Sequence, residues 1–178
     1  MDALAWIDRF YPEENELKKI LLLHSRQVCA KALAVARRHP SLHLDETVLE
    51  NGSLLHDIGI FQTWAPGIHC FGTYHYLLHG YLGAQMLREE GEETYARICE
   101  RHTGTGLSQQ TIQEMQLPIP QQDYLPETME EQVICYADKF YSKSHLQEEK
   151  TLDQVRHSLQ KFGENQVARF MQWHALFR

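Results

Sequence analysis

Apolar residues recur along this chain at intervals of three and four, and the residues between the apolar stretches are those of helix ends. From Glu14 to about Arg38, Leu17, Ile20, Leu21, Val28, Ala32 and Val35 keep a 3.6-residue rhythm that Pro40 closes. Asp45 stands where an N-cap would open a helix over Glu46–His56, and Gly59 where a left-handed residue would end it. Residues 60–73, with Pro66, Gly67 and Gly72, read as a loop. Helices are expected over Tyr76–Glu90, stopping at Gly91, over Glu92–His102, stopping at Thr103-Gly104, and from a Ser108 cap to about Met115. Pro118, Pro120 and Pro126 mark an irregular connection. Thr128 and Glu131 make a capping-box pattern that opens a helix to about Ser142, and two further helical stretches cover about 151–161 and 164–176. No hairpin and no run of alternating strands is evident, so the expected class is all-α.

Composition narrows the picture. A length of 178 residues predicts one domain. Ten glycines and six prolines, about 9% of the chain against about 12% in average usage, lean away from a turn-dense β fold. The formal charge of −7 leaves no field for holding a nucleic-acid duplex, although a single nucleotide could still bind. The longest apolar run, Ala32–Ala36, is far short of the about 20 residues of a membrane span, and no basic segment precedes an apolar one near Met1. A cytoplasmic protein without a membrane partner is expected. Cys29, Cys70, Cys99 and Cys135 form no CxxC pair and read as reduced thiols. Eleven histidines outnumber the prolines and the methionines, and histidine is both the commonest metal ligand and the usual acid or base near neutral pH.

The placement of these histidines matters more than their number. His24 follows Leu17 and Leu21 at helical spacing and precedes Val28; His56 lies four after Gly52, with Asp57 beside it. His79 shares a face with Leu82, Gly83 and Met86; His102 completes Tyr95, Ile98 and Cys99; Asp138 follows Ile134 by four. A lone histidine on an apolar face is most simply a satisfied core residue. Four histidines and two aspartates, all turned to one small interior, would leave several unsatisfied polar groups. A bound cation resolves this, and imidazole with carboxylate suits Mn, Fe or Zn. His56-Asp57-Ile58-Gly59 is the most specific element, because at a helix end adjacent side chains can reach one ion.

The order His24, His56-Asp57, His79, His102, Asp138 resembles the HD-domain metal-dependent phosphohydrolases of the HDIG subgroup, over roughly residues 22–142. The resemblance implies a helical bundle whose core covers about 22–142, with a helical extension over about 143–178. It implies two divalent ions, Fe or Mn foremost, with Mg or Zn as other candidates. His24, His56, Asp57 and Asp138 would hold the first, and Asp57, His79 and His102 the second, with Asp57 bridging. Arg101-His102-Thr103-Gly104 is similar to a His-Thr-x-Gly segment of the branch that hydrolyses dinucleoside tetraphosphates. The stretches at 123–128 and 136–139 are similar to those of small HDIG proteins of undefined substrate. No Gly-Tyr-Pro follows the His-Asp pair, so the cyclic-dinucleotide branch is not implied.

Two such ions suit hydrolysis of a phosphate ester or anhydride through a metal-activated hydroxide. They would bring about +4 against two ligand carboxylates, enough to hold a small anion in an acidic protein. The expected partner is therefore a small phosphorylated substrate such as a nucleotide, and a homo-oligomer is open. Asp57 is the residue on which turnover should depend. Lys139 and Lys143 follow Asp138 and are candidates for a substrate phosphate, although a solvated helix lysine is the simpler reading of Lys143. Arg26 is a further candidate, with plain surface as its simpler reading. His69 and His75 belong to a loop that mixes imidazoles with aromatics and suits a lid; His75, one turn before His79, is a candidate general acid. Trp64 reads more simply as packing than as a base-stacking platform. Two other classes share the ligand set: a di-iron oxygenase, and a metal- or nucleotide-binding module without turnover.

Overall fold

The computed structural model describes residues 2–178. Helices follow one another as α1 (Ala3–Phe10), α2 (Glu16–Arg38), α3 (Glu46–Leu55), α4 (His79–Glu89), α5 (Glu93–Arg101), α6 (Gln109–Glu114), α7 (Met129–Asp138), α8 (Leu152–Gln160) and α9 (Glu164–Phe177). The class is all-α, as the apolar rhythm implied. No described helix is long and apolar enough to cross a membrane.

Side-chain caps set the helix starts. Asn15 accepts from the Lys18 N–H, Asp45 from the N–H groups of Thr47 and Val48, and Ser108 from that of Thr111. Thr128 with Glu131 and Thr151 with Gln154 form complete capping boxes. Such caps contribute on the order of 1 kcal/mol each.

Four details differ from the sequence expectation. Helix α1, capped by Asp2 and buried through Ala3 and Ile7, lies ahead of the first expected helix; its eight residues are too few for a strong periodic signal. Helix α7 stops at Asp138 and not near Ser142, because the chain tightens into three-residue turns from Lys139 to Tyr141. A two-residue antiparallel hairpin, β1 (Trp64–Ala65) with β2 (Cys70–Phe71), lies within the expected loop, and strands this short carry no alternation. Gly59 has φ −85° and does not end its helix left-handed. A side chain at Gly59 would come within 2.4 Å of the His79 carbonyl oxygen and 2.5 Å of the Gly83 nitrogen. Glycine is required there because α4 presses against the turn that carries Asp57. Gly91, by contrast, takes φ +81° and stops α4 as expected.

Helix α2 runs through the core, with Leu21, Val28, Ala32 and Val35 buried against α3 and α7. Helix α4 packs on α5, and α5 on α3 and α7. The C-terminal pair joins the same core through Val155, Leu159, Phe170, Trp173 and Phe177. The Phe170 ring stacks on Tyr136 of α7 with centroids 5.3 Å apart. Burying one such aromatic stabilises by about 1.5–3 kcal/mol, so α9 is held firmly against α7. All four cysteines are buried and free.

Candidate metal centre

Helix ends deliver most of the candidate ligands. His24 sits within α2, His56 follows the last residue of α3, and Asp57 lies in the turn after it. His79 opens α4, His102 follows α5, and Asp138 closes α7. All six are buried in one interior. One face of the Asp57 carboxylate, Oδ2, lies 3.2 Å from His24 Nε2 and 3.1 Å from His56 Nε2. The other, Oδ1, lies 3.3 Å from His79 Nε2 and 3.4 Å from His102 Nε2. Asp138 Oδ1 adds to the first group, 3.0 Å from His24 Nε2 and 3.5 Å from His56 Nε2. His79 and His102 face each other through Nε2 atoms 3.0 Å apart.

The backbone decides which ring nitrogen points inward. His56 Nδ1–H donates to the Ser53 carbonyl at 2.7 Å, His79 Nδ1–H to Tyr76 at 2.6 Å, and His102 Nδ1–H to Cys99 at 2.6 Å. Each acceptor lies three residues back, so the last helical turn orients the imidazole. A neutral ring bonded in this way presents a lone pair at Nε2. The Nε2 lone pairs of His79 and His102 thus crowd Asp57 Oδ1, which has no hydrogen-bond partner, while Oδ2 is shared by His24, His56 and the Lys143 ammonium. Acceptor facing acceptor is unfavourable unless a cation lies between them. The donor set, imidazole nitrogen with carboxylate oxygen, is that of divalent transition metals. Two donor groups lie close enough to share an ion, His24 with His56 and Asp138, and His56 with Asp57 and His102. The residues therefore fit divalent metals.

Electrostatics agree. Burial alone would raise both carboxyls. Lys143 and His56 instead hold Asp57 well below the usual carboxylate range, and Lys139 and His24 do so for Asp138. Burial pushes His56 down, but Asp57 and Asp138 outweigh it and hold His56 up at about 9. For His79 burial prevails and holds it down to about 3, and His102 is lowered by the same cause. Two ionised carboxylates thus draw positive charge into the centre.

A cavity of about 450 Å³ opens from His79, His102 and Asp138. Ala65, Gly67 and Ile68 border it on the hairpin side, and Thr103-Gly104 at the end of α5. Lys139 and Lys143 both line it. Lys139 Nζ lies 2.7 Å from Asp138 Oδ2 and donates to the His102 carbonyl at 2.8 Å. Lys143, read more simply as a solvated lysine, instead reaches Asp57 Oδ2 at 2.5 Å, because the chain turns back after α7 and aims it inward. Arg26 is exposed on α2, two residues and about 200° around the helix from His24. His69 is exposed on the hairpin beside Phe71. His75 is exposed, and its Nδ1 accepts the Leu77 N–H at 3.2 Å as the cap of a short helical turn. The structure does not bring Arg26, His69 or His75 to the cavity. Trp64, read as packing, is 59% exposed and meets Phe71 edge to face.

Sequence reasoning missed the far wall of the cavity. Lys150, Ser158, Lys161 and Phe162, from the segment around α8, line it opposite the hairpin. It also missed Gln166 and Arg169 of α9, which hold the loop after His102. None of these residues belongs to a motif; the available signals are the place of Lys150 beside the capping box at Thr151 and that of Gln166 on the apolar stripe Phe170, Trp173 and Phe177 of α9, where a buried amide needs partners.

Comparison with known proteins places these residues in context. A family model described as HD domain matches residues 21–143. A protein of uncharacterised function from Methanocaldococcus jannaschii is 37% identical over 110 residues, which cover 61% of this chain and 57% of that protein. Two proteins named tRNA (cytidine(56)-2'-O)-methyltransferase are also similar. The one from Picrophilus torridus is 29% identical over 78% of this chain and 39% of its own length. The one from Thermoplasma volcanium is 32% identical over 68% of this chain and 32% of its own length. The chain thus spans between about a third and just over half of these relatives. No solved structure matches it.

Proposed function

This chain belongs to the HD-domain family of metal-dependent hydrolases, and on that premise we propose that it is a phosphohydrolase cleaving a phosphate ester or anhydride of a nucleotide or another small phosphorylated metabolite. One observation carries the reading: the Asp57 carboxylate is shared between two imidazole pairs at the end of a lysine-lined cavity. His24, His56, Asp57 and Asp138 would hold one divalent ion, and Asp57, His79 and His102 a second. When bound, such ions lower the pKa of water and offset charge on phosphoryl oxygens.

The chain itself supplies placement and charge. The three Nδ1 bonds to backbone carbonyls keep His56, His79 and His102 from rotating away. Tyr76 stacks on the His79 ring with centroids 4.6 Å apart and closes that side. Lys139 ties the end of α7 to the end of α5 and so fixes Asp138 relative to His102. Lys143, paired with Asp57 on the cavity wall, is the cation placed to meet a phosphoryl oxygen. A cavity of about 450 Å³ is sized for a small molecule and not for a duplex. The methyl transfer named for two relatives is not proposed for this chain, which spans 39% and 32% of them.

The test is metal analysis of the purified chain together with a phosphate-release screen over nucleotides, dinucleotides and sugar phosphates. The expected result is close to two ions per chain and phosphate release that a chelator stops and added Mn restores. Oxygen uptake without phosphate release would assign a di-iron oxygenase instead. Tight nucleotide binding without turnover would assign a binding module.

A further inference from the structure

The chain has seven lysines, at positions 18, 19, 31, 139, 143, 150 and 161. Five reach a carboxylate: Lys18 pairs with Asp8 and Glu14, Lys19 with Glu16, Lys31 with Glu149, Lys139 with Asp138 and Lys143 with Asp57. Lys150 and Lys161 have no carboxylate partner among the described residues, and both line the cavity in front of the candidate metal centre. The chain carries 24 acidic residues against 17 basic ones, so an unneutralised ammonium is uncommon here, and two on one cavity wall call for an explanation. Among the described residues one carboxylate, Asp138, lines the same cavity, and it is a donor of the candidate metal centre.

The backbone holds both lysines in place. The Lys150 N–H donates to the Phe140 carbonyl at 2.7 Å, and the next residue, Thr151, caps α8. Lys161 is the C-cap of the same helix and leans on the Phe162 ring at 4.9 Å. Helix α8 is anchored in the core through Val155 and Leu159, so the wall that carries the two lysines is fixed, with Lys150 half-buried on it and Lys161 exposed at its rim. Burial lowers the Lys150 pKa, Asp138 raises it in part, and the nearby Lys139, Lys161 and Lys143 lower it further, so the net direction is down. Like charges gathered on one wall repel, and an anion between them reverses the sign of that interaction.

We propose that Lys150 and Lys161 form a second anion subsite that selects substrates carrying another phosphate group besides the one at the metal centre. The inference rests on the phosphohydrolase reading and deepens it. Both residues lie outside the segment that matches the HD domain, 21–143, so this selectivity belongs to the C-terminal part of the chain. The ligand class is a nucleoside di- or polyphosphate, or a metabolite with two separate phosphates.

The experiment compares matched probes on the full metal-loaded chain: AMP with ADP, and fructose 6-phosphate with fructose 1,6-bisphosphate. The readout is Kd, or KM where a probe turns over. The wild-type chain is expected to favour the two-phosphate member of at least one pair by about tenfold or more, as charge-assisted contacts allow. The pair that responds tells contiguous from separated phosphates. In the double variant Lys150→Ala/Lys161→Ala the preference should fall below about threefold, with one-phosphate binding and metal content unchanged within about twofold; Lys150→Arg/Lys161→Arg should restore it. A preference that survives the double alanine variant overturns the subsite. So does a wild-type chain that turns over one-phosphate probes and shows no preference in either pair. A chain that neither binds nor hydrolyses any phosphorylated probe defeats the phosphohydrolase reading together with the subsite.

Discussion

Gln166 offers the sharpest test of how the C-terminal helices support the metal centre. It is 1% exposed and works entirely through the loop that follows His102. Its Oε1 accepts from the Thr105 N–H at 2.6 Å and from the Thr105 hydroxyl at 2.9 Å, and its Nε2 donates to the Gly106 carbonyl at 2.7 Å. In Gln166→Ala the Thr105 N–H is left buried and unpaired, which costs about 1–3 kcal/mol. The Gly106 carbonyl keeps a longer bond from Arg169 at 3.3 Å, and the Thr105 hydroxyl retains the Gln166 carbonyl at 3.4 Å, so their losses are smaller. With the space vacated by the side chain, the total comes to about 2–4 kcal/mol. For a chain of this size that is a fall in Tm of roughly 5–15 °C. Urea unfolding of the metal-free protein should show a lower midpoint with an unchanged slope. The loop begins at Thr103, directly after His102, so metal analysis should also show the Asp57–His79–His102 side depleted first. Gln166→Glu keeps the oxygen that accepts both Thr105 bonds but sets a second carboxylate oxygen against the Gly106 carbonyl, so it should be destabilised as well. A change in stability under about 0.5 kcal/mol with full metal content would show that α9 does not hold this loop.

Asp57→Asn preserves shape but removes the charge that both ions would share; metal content should drop to a small fraction of wild type and phosphate release by about a hundredfold or more, and a variant with wild-type metal and turnover refutes the bridging role. His75→Ala should cost about 0.5–1 kcal/mol through the lost cap and leave kcat within about twofold, whereas a tenfold loss of kcat with intact metal would return His75 to the chemistry as a proton donor. Burial, then Arg178 and Lys31, hold His174 below its ordinary value of 6.5. The folded chain therefore binds that proton less readily than the unfolded one. Its contribution to stability is full above about pH 6.5 and is lost as pH falls through that value, so His174→Asn should flatten the wild-type decline in urea midpoint between about pH 7 and 5. An identical decline in the variant would place the effect elsewhere.

The candidate metal centre was legible because its residues combine two signals that seldom coincide. His24, His79, His102 and Asp138 occupy apolar helix faces, where an uncompensated polar group is penalised. Their types are those of metal donors, and the structure brings their donor atoms within 3.0–3.5 Å of a neighbour. The helix starts were legible for a similar reason: Asp45, Ser108, Thr128 and Thr151 are local signals with local consequences. Gly59 shows the limit of that logic. A glycine after a helix has two physical uses, a left-handed turn or close backbone approach, and only the position of α4 chooses between them. His75 shows a second limit, since one turn before a ligand is a proximity in sequence, and the start of α4 diverts it to capping.

The cavity wall was illegible for a deeper reason. The proposed second anion subsite needs lysines with no acid opposite them, and a lysine without a partner looks the same in sequence as one that has found an acid. Lys31 and Lys150 illustrate this: one is matched by Glu149 and the other, a single residue beyond Glu149, is not. What separates them is the turn after α7, which folds residues 139–150 back over the centre, so that Glu149 faces α2 while Lys150 faces the cavity. The same turn carries Lys143 to Asp57. The candidate ligands are thus set by helices whose faces the apolar pattern dictates, whereas the charges that would meet a substrate are set by a turn and by the helix α8 that anchors it. Selectivity on that wall can change without disturbing a ligand, which is why the double lysine variant separates recognition from metal binding.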